Sequence, residues 1–553
     1  MITNHLQQDL NTIESWCRDW GFVLNINKCA AVIFTRKRNV NTVLRLNNLP
    51  IKIVKSFSFL GFTFDSRLTW SQHINNIVLR SKARINLLKC LSNNSWGSNR
   101  RVLFTVYIAM IRSVIDYGSI LYQSASPSLL KRLDAVQCTS LRLVTGAMHG
   151  TALSSLLLEC GEMPLVLRRK WLIDKYLLKI KSRPTHISKT ILQGCKMTEL
   201  ETNFPSRWSQ NLLELNILNN SDHITGNVTA FQPPWTLRPI TTDTGLKSLT
   251  EGSSRGMTNE SMRKYVQRYL ENIYKESVMI FTDAARSIDG MVGAAVFIPL
   301  ISLKLAYRLT DNVSVDTAEL DAIYQALALA AKYNFQRTVI ISDSLNAINS
   351  LSGPSIHAQK LVHICVDLAN SMAIPPVIVW IPSHVGFQEH DVADQQAKEA
   401  LALPTVSRFI YPNLEEATDR IKCHYRTMSE SAAKDAVTGR SYYTLFPKGK
   451  NKLEILSPRN KDVVITRLRL HHCRLNKYLQ KIGCHPTGLC EACAVEETVQ
   501  HFLLECKIHR VLASQLKSLA DFLKSQISLK LVLTEKPFID LIYSYVCANK
   551  ISL

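Results

Sequence analysis

The sequence predicts a multidomain protein in which a central α/β domain stands between largely helical segments. A chain of 553 residues is too long to fold around one hydrophobic core, so several domains are expected. Strand-like and helix-like patterns alternate between residues 277 and 402, which is typical of an α/β unit with a mixed central sheet. Helical periodicity dominates on both sides of that stretch.

The composition indicates a folded, basic protein. Hydrophobic residues make up 46% of the chain, so disorder throughout is not expected. The formal net charge of +22 favours a polyanionic partner, with a merely basic protein as the alternative. The 14 scattered cysteines fit buried thiols in a reducing compartment. Without a signal-peptide or membrane-span pattern, we expect an intracellular protein of the nucleus, the cytoplasm or both, with no membrane partner.

The first 75 residues are predicted to begin with a helix and to continue with two strands. Apolar residues recur every three or four positions from Leu6 to Trp20, as on one face of a helix. The runs 30–37 and 57–65 have strand-like patterns, and aromatic residues alternate along the second run.

Basic residues crowd the first helix of the following helical segment, residues 76–195. They are Arg80, Lys82, Arg84 and Lys89. Such a run is usually a solvated helix face. Adjoining segments add further cations, among them Arg100, so a surface that contacts phosphates is equally well supported.

Two stretches are predicted to connect domains. Residues 196–270 are weakly patterned and indicate a linker with some local structure, and residues 404–455 indicate a polar helical connector. Between them, the most apolar run of the chain covers residues 291–309. It contains Pro299 and Lys304 and is therefore predicted to form two strands and not a membrane span.

Four acidic residues occupy conspicuous positions in the α/β stretch. Asp283 and Asp343 each end an apolar strand-like run, whereas Glu319 and Asp394 lie in predicted helices. Each has an ordinary explanation when taken singly. Glu319 has capping-box spacing from Asp316 in the first turn of its helix, and Asp343 could cap the next helix. Asp283 could be a turn residue, and Asp394 could face solvent.

Together, four segments resemble in their order the motifs of the ribonuclease H family: FTD (281–283), TAEL (317–320), SDSLNAI (342–348) and VWIPSHVGFQEHDVADQQAK (379–398). The resemblance implies a ribonuclease H-like α/β domain over residues 271–403. It also implies endonucleolytic hydrolysis of the RNA strand of an RNA–DNA hybrid, with the hybrid as the nucleic-acid partner.

The same resemblance implies a role for each residue. Asp283 would bridge two Mg²⁺ ions, which Mn²⁺ can replace. Glu319 and Asp343 would hold one ion, and Asp394 would hold the other. His384, on a loop, would move protons or help the product to leave. The chemistry is consistent, because phosphodiester hydrolysis needs an activated water and a stabilised leaving oxygen, and Mg²⁺ prefers carboxylate ligands.

The sequence departs from the family pattern in two places. Ala284-Ala285 stands where Gly-Ser commonly follows the first Asp, and His390-Asp391 stands where Asn-Glu usually precedes the last Ala-Asp. Both changes bear on affinity for the hybrid more than on metal binding.

Residues 6–37 and 57–74 resemble a reverse transcriptase of the non-LTR (LINE-type) retrotransposons, in particular of insect-type elements. The first piece is similar to the end of the palm and includes Lys28, a predicted nucleic-acid contact together with the basic helix. The second is similar to the primer-grip hairpin, with FLG at 59–61, and residues 76–195 look like the thumb. The family's polymerising centre needs an early Asp and a Tyr/Phe-x-Asp-Asp turn. Neither occurs before Leu6, so polymerisation by this chain alone is not expected.

The C-terminal segment 488–509 contains a Cys/His set with metal-ligand spacing: Cys490, Cys493, His501 and Cys506. Three thiolates and one imidazole suit a tetrahedral structural Zn²⁺. The alternative is a helical hairpin with buried thiols, and the five-residue step from His501 to Cys506 is not ideal for an α-helix. Residues 467–483 also resemble the C-terminal domain of these retrotransposon proteins.

The sequence is therefore interpreted as a truncated retrotransposon polyprotein with ribonuclease H activity. Its predicted segments are a palm remnant with the primer-grip hairpin (1–75), a helical thumb (76–195), a linker (196–270), the ribonuclease H domain (271–403), a connector (404–455) and a basic, zinc-knuckle-like domain (456–553). Two alternatives stay open: a catalytically decayed nucleic-acid-binding fragment, and a gene product without a selected function.

Overall fold

The structure, a computed structural model, describes residues 2–35, 42–182, 238–249, 258–311, 313–354, 360–410, 413–436, 438–446 and 456–553. Most of the predicted linker and the end of the predicted thumb lie outside these residues. Among the described residues, 2–173 and 423–553 belong to one compact unit, and 174–182 and 238–422 belong to a second. No helix in the described part of the chain is long and apolar enough to span a bilayer.

The N-terminal part of the first unit is a helix followed by short strands: α1 (Ile2–Asp19), β1 (Ala30–Ala31), β2 (Arg45–Leu46), β3 (Leu49–Pro50), β4 (Lys52–Ile53), β5 (Ser56–Phe59) and β6 (Phe62–Asp65). The expected hairpin is present, because β5 and β6 pair antiparallel. Leu60 and Gly61 turn the chain between them with φ of 47° and 84°, as two-residue hairpin loops require. The strand predicted over 30–37 is reduced to Ala30–Ala31. Its end, 36–37, lies outside the described residues.

Helices then build the core of the first unit: α2 (Ser71–Leu91), α3 (Arg100–Val106), α4 (Ser113–Asp116), α5 (Ser119–Tyr122), α6 (Pro127–Thr145) and α7 (Leu153–Cys160). Helix α8 (Leu165–Lys181) begins in this unit, and its residues from 174 onwards belong to the second. A π-helical turn, Tyr107–Arg112, joins α3 to α4. Leu88, Leu103 and Leu141 are fully buried in this core. The helical pattern predicted from residue 76 onwards is therefore confirmed for the described residues.

The second unit contains a six-stranded mixed sheet: β7 (Thr242–Asp243), β8 (Val278–Arg286), β9 (Val292–Ile298), β10 (Leu303–Leu309), β11 (Thr338–Ser342) and β12 (Val377–Trp380). The strand order is β10-β9-β8-β11-β12-β7. Neighbours pair antiparallel from β10 to β8 and parallel from β8 to β7. The mixed sheet is thus confirmed, as are the two strands predicted within residues 291–309.

Five helices accompany the sheet: α9 (Asn259–Ile273), α10 (Val315–Tyr333), α11 (Leu345–Ser352), α12 (Lys360–Ser371) and α13 (Gln388–Ala400). Ile323 of α10 is buried in one core with Ile280 and Ile340 of the central strands. Ile240, next to β7, and Val266 of α9 belong to the same core. The structure therefore places parts of the predicted linker, 196–270, inside the α/β unit, because their apolar side chains complete its core.

In the described part of the chain after the α/β domain, the helices are α14 (Leu414–Lys434), α15 (Arg440–Leu445), α16 (Arg459–Arg469), α17 (Asn476–Lys481), α18 (Arg510–Phe522), α19 (Leu529–Val532) and α20 (Lys536–Ala548). Ile465, Leu516 and Ile542 are fully buried in the same core as Leu88 and Leu103. The segment predicted as a separate domain, 456–553, therefore shares its hydrophobic core with the predicted thumb.

Buried ion pairs also connect these distant parts of the chain. Arg100 pairs with Glu159 at 2.5 Å and with Asp462 at 2.8 Å, and all three side chains are almost wholly excluded from solvent. Arg459 pairs with Asp462 at 3.1 Å, and the Tyr442 hydroxyl donates to Glu159 at 2.5 Å. Loss of one partner would leave a buried charge uncompensated, so the network requires both segments.

Candidate metal centres

Two adjacent parallel strands and one helix bring three of the predicted acids together. Strand β11 pairs with β8 in a register that sets Ile341 opposite Phe281. Asp343 and Asp283 each lie two residues beyond this pair, so they reach the same end of the sheet. Glu319 comes from α10, which packs on β8. One carboxylate oxygen from each acid lies within 4.8 Å of the other two.

The local structure removes the ordinary explanations for these acids. Helix α10 begins at Val315, and its N-cap is Ser314, whose side chain accepts from the Thr317 N–H at 3.1 Å. Glu319 therefore lies beyond the first turn, and the capping-box explanation is wrong. The next helix, α11, is capped by Ser344 and not by Asp343.

The sequence predicted that Asp283 ends its strand, and this is wrong. Strand β8 continues to Arg286 and pairs with β9 up to that residue. The site therefore lies partway along β8. The Asp283 carboxylate is held in place within regular structure and is not part of a turn.

Burial and mutual repulsion dominate the electrostatics of the three acids. Asp283 is 7% exposed and Glu319 is 3% exposed. Burial, reinforced by the charge of Asp343, raises the pKa of Asp283 from 3.8 to about 7. Burial and the neighbouring charges of Asp283 and Asp343 raise the pKa of Glu319 well above its usual value. A site that disfavours carboxylate ionisation in this way attracts cations.

Hydrogen bonding satisfies only part of this cluster. The Ala284 N–H donates to Asp283 Oδ1 at 2.7 Å and to Glu319 Oε1 at 3.0 Å. The other oxygen of Glu319, Oε2, is buried and has no hydrogen-bond partner among the described residues. A buried, unpaired carboxylate oxygen beside two further carboxylates fits a hard divalent cation, which takes oxygen ligands.

The fourth predicted acid lies close to this group without belonging to its tightest part. Asp394 is on α13, and its Oδ2 accepts from Lys398 Nζ at 2.6 Å. Its charge contributes to the raised pKa of Asp283, after burial and Asp343. Gly293 allows α13 to approach β9, because a Cβ there would lie 2.3 Å from the Ala397 carbonyl oxygen.

His384 lies where the sequence predicted, on the loop between β12 and α13. Its side chain is exposed and its φ is 55°, and Gly386 follows with a φ of 74°. His384 is close enough for its charge to lower the pKa of His390, on which Asp343 also acts. Its role in proton movement or product release stays a prediction.

Two residues near the acids acquire significance only in the structure. Trp380 Nε1 donates to the Asp343 main-chain oxygen at 2.9 Å and so fixes the backbone that carries this acid. His390 is 5% exposed, and its Nε2 has no hydrogen-bond partner among the described residues. Burial lowers the pKa of His390, although the negative charges of Asp343, Asp391 and Asp394 act to raise it. The motif contained Trp380, but no sequence signal indicated its bond to Asp343.

The C-terminal Cys/His set forms a second compact group. Ligand atoms of Cys490, Cys493, His501 and Cys506 all lie within 4.8 Å of one another. The Cys490 and Cys506 sulfurs are 3.8 Å apart, and the Lys507 N–H donates to the Cys493 sulfur at 3.3 Å. His501 Nε2 is buried without a hydrogen-bond partner among the described residues. An unpaired imidazole nitrogen among three thiols fits a tetrahedral Zn²⁺.

A π-helical turn explains the unusual spacing of the last two residues of this set. Residues His501–Glu505 are π-helical, and the Cys506 N–H donates to the His501 carbonyl oxygen at 2.8 Å. A π-turn closes over five residues and not four, so positions five apart meet on one side. The five-residue step from His501 to Cys506 therefore brings both side chains to the Cys/His group in this π-helical conformation.

The predicted nucleic-acid contacts divide into exposed side chains and one that is hydrogen-bonded within the protein. Lys28, Arg80, Lys82 and Lys89 are exposed, whereas Arg84 is half-buried and donates to the Met110 carbonyl oxygen at 2.5 Å. Arg100, from the adjoining segment, is buried in the ion network and cannot reach a phosphate. Nucleic-acid contact by the exposed residues stays a prediction.

Comparison with known families identifies the class of the central domain. Residues 275–402 match the family model described as RNase H. The match covers the strands and helices that carry the three converging acids together with Asp394 and His384. The chain therefore contains a ribonuclease H domain.

The chain is also similar over part of its length to curated proteins of mobile elements. The chain is 28% identical over 147 residues to the RNA-directed DNA polymerase from mobile element jockey of Drosophila melanogaster. It is also 28% identical over 131 residues to the probable RNA-directed DNA polymerase from transposon X-element, and 27% identical over 153 residues to that from transposon BS, both of the same species. These matches cover 24–27% of this chain and 14–17% of each relative. With the ribonuclease H match, this homology supports a LINE-type reverse transcriptase polyprotein that contains a ribonuclease H domain.

Proposed function

We propose that the ribonuclease H domain cleaves the RNA strand of RNA–DNA hybrids and that it depends on divalent metal ions. The observation that carries the proposal is the convergence of Asp283, Glu319 and Asp343 within 4.8 Å, with one buried Glu319 oxygen unpaired. Three crowded carboxylates are costly without a compensating cation. The cluster is therefore suited to metal binding and not to structural stability.

In this proposal Asp283, Glu319, Asp343 and Asp394 hold two Mg²⁺ ions, which Mn²⁺ can replace. When bound, such ions supply an activated water and stabilise the leaving 3′-oxygen. The Ala284 N–H orients Asp283 and Glu319, and Trp380 fixes Asp343. His384, exposed on its loop, is free to exchange protons with bulk water or with the departing product.

The products would carry 5′-phosphate and 3′-hydroxyl ends. The hybrid would be recognised through its backbone and the 2′-hydroxyl groups, with little reading of bases. Because the relatives are RNA-directed DNA polymerases of mobile elements, the substrate would be the hybrid formed when element RNA is copied. The alternative is a nucleic-acid-binding fragment without hydrolase activity, favoured by Ala284-Ala285 in place of Gly-Ser.

The full chain should cleave a fluorescently labelled RNA–DNA hybrid with Mg²⁺ or Mn²⁺ and leave duplex DNA intact. Asp283→Asn should lower the rate at least about a hundredfold, because it removes a central metal ligand. Asp289→Asn makes the same chemical change at an exposed acid of this domain and should leave the rate unchanged. Robust cleavage by Asp283→Asn, or none by the parent with either metal, would refute the proposal.

We propose that the second group holds one structural Zn²⁺ through Cys490, Cys493, His501 and Cys506. Zinc prefers thiolates, so binding should release protons and weaken below about pH 6. Burial raises the pKa of Cys506 to about 11, and this thiol would release its proton to solvent on binding the metal. These residues precede α18, whose Leu516 lies in the core of the first unit. The metal would therefore stabilise that unit.

Elemental analysis of the full chain should give about one zinc per molecule. The double variant Cys490→Ser/Cys493→Ser should lose the zinc and keep hybrid cleavage, because the cleavage site lies in the other unit. The control Cys423→Ser/Cys547→Ser alters two exposed cysteines outside the group and should retain the metal. A ratio near zero in folded parent protein refolded with zinc would support the buried-thiol alternative.

A further inference from the structure

A cavity of about 560 Å³ lies in the first unit and is lined by none of the candidate metal ligands. Its walls come from helix α7, the start of α15, the stretch 470–481 and Glu497–Val499. The cavity thus lies where the predicted thumb and the C-terminal segment share their core. Its volume is within the range of sites that hold one small ligand or one nucleotide.

Two adjacent histidines give this cavity an unusual polar wall. His471 has a φ of 53°, a strained conformation for a residue other than glycine, and both histidines line the cavity. The ring of His472 lies 4.7 Å from that of Tyr478, and its Nδ1 is 3.3 Å from the Thr151 hydroxyl. Burial, together with the charge of Lys481, lowers the pKa of His472 to about 4. Burial also lowers the pKa of His471, so both imidazoles are neutral near pH 7. A neutral imidazole carries one donor and one acceptor, and the Nδ1 of His472 is already engaged by Thr151.

Two lysines add positive charge beside this wall. Lys477 and Lys481 lie four residues apart on one face of α17, and both are exposed cavity-lining residues. Lys481 forms no ion pair among the described residues. Within the described ranges Lys477 pairs only with Glu496, and that pair is exposed and therefore weak. The lining acid, Glu497, accepts from the Asn476 N–H at 2.7 Å through Oε2, and the two lysines outnumber it in charge along the cavity wall.

We propose that this cavity binds one unstacked nucleotide of a single-stranded nucleic acid, with its phosphate at Lys477 and Lys481 and its base against His471 and His472. Exposed cations beside aromatic and neutral polar groups are the features by which proteins hold single strands. A base inside a duplex cannot enter a cavity without leaving its stack, so single strands are preferred over duplexes. The proposal is independent of the ribonuclease H site.

Fluorescence anisotropy of the full chain with labelled 12-nucleotide single strands, RNA and DNA, tests this directly. Lys477→Ala/Lys481→Ala should weaken binding about tenfold or more, because two charge-assisted phosphate contacts are lost. Lys517→Ala/Lys536→Ala removes the same charge from exposed helical positions of the same unit that do not line the cavity. This control should change the affinity less than about twofold, since it alters only the general attraction to polyanions.

A second measurement keeps the test independent of general charge effects. Photo-crosslinking of a strand that contains 4-thiouridine, followed by peptide mass spectrometry, should mark residues 470–481 or 497–499. His471→Ala should reduce that crosslink at unchanged melting temperature. Equal losses in the two double-lysine variants, or crosslinks confined to other peptides, would overturn the proposal. Equal affinity for duplexes, or displacement of the strand by millimolar inorganic phosphate, would also overturn it.

Discussion

At the scale of single residues, the acids of the ribonuclease H domain oppose folding when no metal is bound. Asp283 is buried beside Asp343 and Glu319, and its pKa rises from 3.8 to about 7. A carboxyl group with a higher pKa in the folded than in the unfolded chain stabilises the fold only at low pH. That stability is complete below about pH 4 and is lost as the pH rises through about 7. The shift corresponds to roughly 4 kcal/mol at most.

Asp283→Asn should therefore stabilise the metal-free domain as the pH rises. We expect a melting temperature close to that of the parent at pH 4 and several degrees higher at pH 8, measured calorimetrically in EDTA. With saturating Mg²⁺ at pH 8 the order should reverse, because only the parent gains ligand-binding energy. Asp289→Asn, which changes an exposed acid, should show neither effect. A melting-temperature difference that does not change with pH would contradict this electrostatic account.

Sequence reasoning identified the acids but not the residues that orient them. Asp283 and Asp343 were predictable, because apolar strands lead up to both and the order of motifs is specific. Trp380 holds Asp343 through a bond between residues 37 apart in sequence, and His390 approaches the acids only once α13 has packed on the sheet. Such contacts depend on tertiary packing, which local sequence patterns do not reveal.

At the scale of elements, the start of helix α10 decides where Glu319 points. Ser314 caps the helix and accepts from the Thr317 N–H at 3.1 Å, so Glu319 falls in the second turn and faces β8. Capping-box spacing in the sequence favoured Asp316 as the capping residue, whereas the structure has Ser314 in that position. Only the backbone dihedral angles of the folded chain distinguish them.

Ser314→Ala should destabilise the ribonuclease H domain by about 1 kcal/mol, the usual effect of losing an N-cap. Asp316→Ala should cost less, since Asp316 lies inside the helix and the only hydrogen bond of its side chain in the described residues is a long one from Asn346, at 3.3 Å. Urea unfolding of the full chain, followed by tryptophan fluorescence, would measure both. A larger loss for Asp316→Ala would restore the capping-box explanation.

At the scale of the whole molecule, the sequence predicted which segments are helical or α/β better than it predicted which segments pack into the same compact unit. The α/β stretch was recognisable from alternating patterns within about 130 residues. The first unit was not, because Arg100 and Asp462 are 362 residues apart and no local signal links them. For the same reason β7, two residues long, was indistinguishable from linker until its pairing with β12 was known.

The two compact units should respond to different metals. Ligands that bind only the folded state raise the melting temperature of the unit that holds them. In calorimetry of the full chain we expect two transitions, of which Mg²⁺ raises only one and a zinc chelator lowers only the other. Asp283→Asn should abolish the response to Mg²⁺, and Cys490→Ser/Cys493→Ser should abolish the response to the chelator. One cooperative transition that follows both metals would mean that the ribonuclease H domain and the helical unit unfold together.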